Sequence, residues 1–115
     1  MLTLMNSELR GLIQRLIDDI AAGRFRLLEA DGRIGRLTGD ELREAVATYG
    51  RTIVSLPDVG WGLVDEYSID GKPDEVSLDI PLWTIEEGRS DLTLSVSCKR
   101  RGETVSVAID DLHVL

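Results

Sequence analysis

The stretch that decides the fold is Leu92-Thr93-Leu94-Ser95-Val96-Ser97-Cys98-Lys99, in which apolar and polar side chains alternate without a break. Successive side chains of an extended chain point to opposite faces. Leu92, Leu94, Val96 and Cys98 therefore share an apolar face, and Thr93, Ser95, Ser97 and Lys99 a polar one. A strand of this kind lies with one side on a core and the other towards water.

The same period runs outward in both directions. Downstream, Arg100-Arg101-Gly102 turns the chain into a further strand with Val105, Val107 and Ile109 inward. Upstream, the polar connection Glu86-Glu87-Gly88-Arg89-Ser90 leads back to a strand with Val76, Leu78, Ile80 and Leu82 on one side and Ser77 and Asp79 on the other. Pro81 has no N–H to donate to a ladder, so this strand is an edge there or it bulges. Before it, Asp70-Gly71 is a turn signal reinforced by Pro73. The first strand is then the stretch in which Leu63, Asp65, Tyr67 and Ile69 alternate with Val64, Glu66 and Ser68.

Ahead of Trp61 the period is helical. Leu9, Leu12, Ile13, Leu16, Ile17 and Ile20 recur at three-and-four spacing, with Asn6 or Ser7 able to cap the start and Gly23 placed to close the end. Phe25, Leu27 and Leu28 form a short second helical turn, and the glycines of Asp31-Gly32-Arg33-Ile34-Gly35-Arg36 make a loop. Thr38 and Glu41 have the spacing of a capping box ahead of a helix that buries Leu42, Ala45, Val46 and Tyr49 and ends at Gly50. Leu56-Pro57-Asp58-Val59-Gly60 breaks the chain before the strands begin.

These elements predict an α+β fold in a single domain spanning 1–115. Its helical part covers about 6–50 and its sheet part about 61–112. The helices pack on one face of a curved, roughly four-stranded antiparallel sheet. A chain of 115 residues, 43% hydrophobic and 30% charged, has the size and composition of one folded domain that needs neither disulfide nor metal. Cys98, the only cysteine, falls on the apolar face as a small core residue.

Twenty-one acidic residues against 13 basic ones leave a net charge of -8. A field of that sign repels phosphate backbones and anionic lipid and attracts basic partners. Neither nucleic acid nor membrane is therefore an expected partner. The 4% of aromatic residues gives little platform for stacked bases. No apolar run approaches the roughly 20 residues of a membrane span. Residues 1–7 carry no secretory signal pattern, so the cytoplasm is the expected compartment.

Chemistry-bearing motifs are few. No serine stands in a Gly-x-Ser-x-Gly elbow, and the glycines around Gly32 lack the lysine and spacing of a phosphate-binding loop. No catalytic residue, cofactor or metal is expected. Asp110, Asp111 and His113 could in principle serve a divalent metal or an acid–base pair. An extended chain, however, points Asp110 away from the other two, and His113 is read as a solvated or locally hydrogen-bonded imidazole near the terminus. Glu86, Glu87 and Asp91, with Arg89 orienting them, read either as an anionic surface patch or as a plain hairpin connection in which Gly88 takes a positive φ. Lys99, Arg100 and Arg101 read as a solubilising hairpin tip. Trp61 and Trp83 flank polar connections, where tryptophan serves as a binding anchor or closes one end of a core.

Helices followed by a meander of strands is an order similar to that of cystatin-like and nuclear-transport-factor-like cone folds, here in a reduced version. In those folds a curved sheet wraps an N-terminal helix. A more local resemblance lies in Trp83-Thr84-Ile85-Glu86-Glu87-Gly88-Arg89-Ser90-Asp91-Leu92-Thr93-Leu94 together with Ile109-Asp110-Asp111-Leu112-His113-Val114-Leu115. It resembles a small bacterial family of uncharacterised domains whose members carry a leading helix and a second helix with a pair like Leu42-Arg43. The resemblance implies domain boundaries and a bacterial setting, and it implies no activity.

Three functions from different classes fit these readings. The first is a non-enzymatic protein-binding module, in its most specific form a bacterial immunity protein that neutralises a basic toxin such as a nuclease. Asp65, Glu66, Glu86, Glu87, Asp91, Asp110 and Asp111 would supply the charge, with Arg89 beside them and Trp83 as anchor. The second is a cone-shaped ligand binder or small enzyme with Asp65 and Tyr67 facing inward. The third is a structural domain that forms a homodimer.

Overall fold

The computed structural model describes residues 7–115, so the expected cap at Asn6 lies outside the described residues. Helix α1 spans Ser7–Ala21, α2 Phe25–Ala30 and α3 Gly39–Tyr49. Strand β1 (Ile53–Val54) and the helical turn α4 (Asp58–Trp61) follow, then β2 (Asp65–Ile69), β3 (Lys72–Thr84), β4 (Gly88–Arg101) and β5 (Thr104–Val114). The fold is α+β, with the helices ahead of a curled antiparallel sheet. Among the described residues, no helix is long and apolar enough to cross a membrane.

Helices α1, α2 and α3 form where their sequence signals stand. Leu9, Ile13, Leu16, Ile17 and Ile20 of α1 are all buried. The capping box at α3 is present in both directions: Glu41 N–H donates to Thr38 Oγ1 at 3.1 Å, and Thr38 N–H donates to Glu41 Oε1 at 3.0 Å. The helix closes on Gly50 at φ 73, a left-handed conformation that costs glycine little.

The sheet runs β1-β3-β4-β5, and β2 pairs with the same edge of β3 as β1 does. Pro81 falls in the gap between them, because β2 reaches only as far as Asp79 and β1 covers only Trp83 and Thr84. A residue without an N–H thus sits where no ladder asks for one. On its other side the register with β4 shifts between Pro81 and Trp83. Ser90 repairs that shift: its hydroxyl donates to the Leu82 carbonyl at 2.8 Å and accepts from Leu92 N–H at 3.1 Å, all of it buried.

The core lies between the helices and the inner sheet face, where Leu78, Ile80, Leu94, Val96, Cys98 and Ile109 are fully buried. Burial pushes the Cys98 thiol up to about 12, so it is an inert core group. At one end, Gly60 is held between Leu56 and Trp83. A Cβ there would stand 2.7 Å from Leu56 Cδ1 and 3.2 Å from Trp83 Cζ3.

Four features depart from the sequence expectation. The break that starts at Leu56 carries the turn α4, which runs on to Trp61, and Ile53–Val54 ahead of it add the strand β1, a pairing too short to leave a local pattern. The last strand continues to Val114. The loop after α2 lays Ile34 parallel to Ile109, with Ile109 N–H donating to the Arg33 carbonyl and Gly35 N–H to the Ile109 carbonyl. Finally, β2 presents the opposite face from the one expected. Glu66 pairs with core-facing Leu78 while Tyr67 pairs with Ser77, so Asp65 and Tyr67 do not face inward.

Asp19 ties the helices to that loop. It accepts from Arg24 at 2.8 Å and from Arg33 at 2.7 Å. Hydrogen bonding from Arg24, aided by Arg33 and opposed by burial, holds its carboxyl below the ordinary value.

Candidate functional site

The polar face of the sheet carries one continuous row across four strands. Asp65 on β2 stands opposite Asp79 on β3, Asp79 opposite Ser95 on β4, and Ser95 opposite Asp111 on β5. Partners in an antiparallel ladder share a face, with Cβ atoms about 4.5–5.5 Å apart. Three carboxylates in four positions thus lie side by side. The next row is Tyr67, Ser77, Ser97 and Ala108.

Asp110 joins them through a bulge. The register shifts between Ser95 and Val96, opposite Asp111 and Ile109, and leaves Asp110 as the extra residue. Both Ile109 and Leu112 can then face the core, and the carboxylate of Asp110 accepts from the hydroxyl of Ser97. The expectation that Asp110 points away from Asp111 is corrected by this bulge, which changes the alternation at that residue.

Little neutralises the row. Ser95 donates to Asp79 Oδ1 at 2.7 Å. Among the described residues, no lysine or arginine lies within ion-pairing distance of Asp65, Asp79, Asp110 or Asp111. Tyr67, 49% exposed, reports the field: the charge of Asp65, then burial, then the charge of Asp79 raise its hydroxyl above the ordinary value. His113 Nδ1 is 3.1 Å from Asp111 Oδ2, yet among the described residues it has no hydrogen-bond partner, so the contact is one of proximity. Beside it on the same face, the hydroxyl of Thr93 is buried and has no hydrogen-bond partner among the described residues.

The remaining candidate residues are dispersed. Glu86 accepts from Thr52 N–H at 2.7 Å and Thr52 Oγ1 at 2.8 Å, which holds its carboxyl below the ordinary value. Glu87 accepts from the Tyr49 hydroxyl at 2.9 Å and from Thr84 Oγ1 at 3.2 Å. Burial first, then Glu87, raises the Tyr49 hydroxyl. These two glutamates fasten the β3–β4 hairpin to the last residue of α3 and to Thr52 just after it. Gly88 takes φ 74 at that hairpin. Trp83 is half-buried against the core, Arg89 lies opposite it, and Asp91 offers its carbonyl to Leu115 N–H. Glu66 lies on the other face of β2 from Asp65.

The structure thus brings Asp65, Asp110 and Asp111 together and adds Asp79, Tyr67, Ser95 and Ser97 to them. Asp79 and the serines are legible as outward positions of their own strands; their alignment with Asp65 depends on register. Among the described residues no group of three or more His, Cys, Asp or Glu side chains is arranged to hold a metal ion. A second feature is an open groove of about 620 Å³ between α3 and the end of β5, lined by Glu41, Glu44, Tyr49, Leu92, Leu112 and Val114 among others.

A family model described as a domain of unknown function, DUF7668, matches residues 17–115. The chain belongs to the DUF7668 family. The matched region begins within α1 and takes in the entire sheet, so both the acidic row and the groove fall inside the DUF7668 domain. Comparison with curated proteins and with solved structures finds no match.

Proposed function

We propose that this DUF7668 domain is a non-enzymatic protein-binding module whose partner is basic and is met by the polar face of the sheet. The single observation that carries the reading is the Asp65–Asp79 pair. Like charges placed directly opposite on neighbouring strands destabilise a sheet, and this pair has no cation beside it within the described chain. A lysine or arginine from a partner would relieve the repulsion, so the arrangement favours the bound state over the free one. The net charge of -8 extends the same preference to long range, where it speeds encounter with a basic surface.

The most specific version is a bacterial immunity protein that lays its carboxylates over the basic active site of a toxin, such as a nuclease. A reading frame directly downstream of a toxin gene would favour this version. The test is retention from native lysate at low salt on immobilised wild-type domain and on an Asp65→Asn, Asp79→Asn, Asp111→Asn triple variant. The reading expects a basic protein that the wild type holds, that raised salt releases and that the triple variant fails to hold. Equal retention by both forms would remove it.

A further inference from the structure

We infer that the open edge of β5, at Leu112 and Val114, is a docking site for a short extended basic segment of another protein, which adds to the sheet as a strand. The argument begins with the main chain. Leu115 N–H donates to the Asp91 carbonyl, and Leu92 lies opposite Val114 in the same register. Antiparallel ladders alternate between pairs that exchange hydrogen bonds and pairs whose N–H and C=O groups turn away. The Asp91–Leu115 pair therefore makes Thr93–His113 a bonded pair, and it directs the N–H and C=O groups of Val114 and Leu112 away from β4, towards the free edge.

Further back, the same edge is already in use. Ile109 turns its N–H and C=O outward and fills both with the Arg33–Gly35 loop, which runs parallel to it. That cover ends at the bulge on Asp110, and two residues later the ladder is open again. Uncovered edges invite strand addition, and proteins commonly block them. Among the described residues, this edge is blocked in its middle and open near its end.

The surroundings determine what fits. The groove between this edge and α3 has Leu92, Leu112 and Ala45 in its lining, which suits alternate apolar side chains of an extended segment. Glu41 and Glu44 of α3 also line it, and no lysine or arginine does. Alternation of apolar and basic residues matches both features. A second copy of this chain is a poor match, since it would bring another acidic rim and another net charge of -8. The site uses no residue of the acidic row, so the two proposals stand or fall separately.

The test is a titration of the isotope-labelled full chain with an alternating valine–lysine peptide about ten residues long, read by amide resonances and hydrogen exchange. The amides of Leu112 and Val114 are expected to shift and to gain protection. Val114→Pro deletes an N–H that β4 does not use, so the fold should persist while protection at Leu112 is lost. Glu41→Gln with Glu44→Gln keeps the capping acceptor of α3, removes two charges and should weaken binding about tenfold at low salt. Perturbation confined to the face of Asp65 and Asp111, or none at all, would overturn the inference. So would unchanged binding by Val114→Pro, equal binding of a valine–glutamate peptide, or edge protection that rises with protein concentration in the absence of peptide.

Discussion

Asp65 and Asp79 face each other directly across β2 and β3, on the side of the sheet turned away from the core, with Tyr67 close enough for its hydroxyl to feel both charges. The Asp79 carboxylate is held in place by Ser95, and that of Asp65 lies exposed at the outer strand. The pair is a local cost in the free domain and a fixed attraction for a cation.

Replacing Asp65 by Asn should therefore stabilise the isolated domain slightly, by up to about 0.5 kcal/mol, because it removes a cross-strand repulsion without removing a core contact. The same change should bring the Tyr67 hydroxyl back towards its ordinary ionisation, since Asp65 is the largest cause of its displacement. Denaturant unfolding and a pH titration of the Tyr67 ring resonances test the two halves. A destabilised variant, or an unmoved Tyr67, would contradict the geometry.

Asp19 makes a prediction about acid. Its folded carboxyl is held below the ordinary value of 3.8, mainly by hydrogen bonding from Arg24. A carboxyl lowered on folding contributes stability that is fully present above its unfolded value and is lost as pH falls through the folded one. Asp19→Asn should thus be less stable than wild type at neutral pH, and the gap should close below the ordinary carboxylate range. Unfolding curves measured from neutral to strongly acidic pH check this; a gap that persists in acid would show another cause.

Ser90→Ala should cost about 1–3 kcal/mol, the penalty of leaving buried main-chain groups without partners. The affected groups are the Leu82 carbonyl and the Leu92 N–H at the register shift beside Pro81. Denaturant midpoints measure the loss, and Ser90→Gly, which also lacks the hydroxyl, should lose at least as much.

Much of the fold is legible in the residues themselves. The stripe from Leu9 to Ile20, the Thr38–Glu41 cap and the alternation of β3, β4 and β5 are local patterns, and each element formed where its pattern stood. Ile53–Val54 had too few residues to show a period. The face of β2 is not legible locally, because Asp65 and Tyr67 alternate with Val64 and Glu66, which offer no contrast between apolar and polar sides; pairing with β3 decides it.

The candidate site was less legible, for the same reason. Asp65, Asp79 and Asp111 are far apart along the chain and meet only through register, which neighbouring residues do not reveal. Asp110 reaches that face through a one-residue bulge that no local signal announces. Glu86 and Glu87 were the most conspicuous acidic pair in the sequence, and they are held by Thr52 and Tyr49.

The most direct test of the account is hydrogen exchange of the domain with and without a captured basic partner. Protection gained on β2 and β3 around Asp65 and Asp79, and on β4 and β5 around Ser95 and Asp111, is the predicted result. Protection gained over the buried helical side, with the amides of that acidic row exchanging as fast as in the free domain, would contradict it.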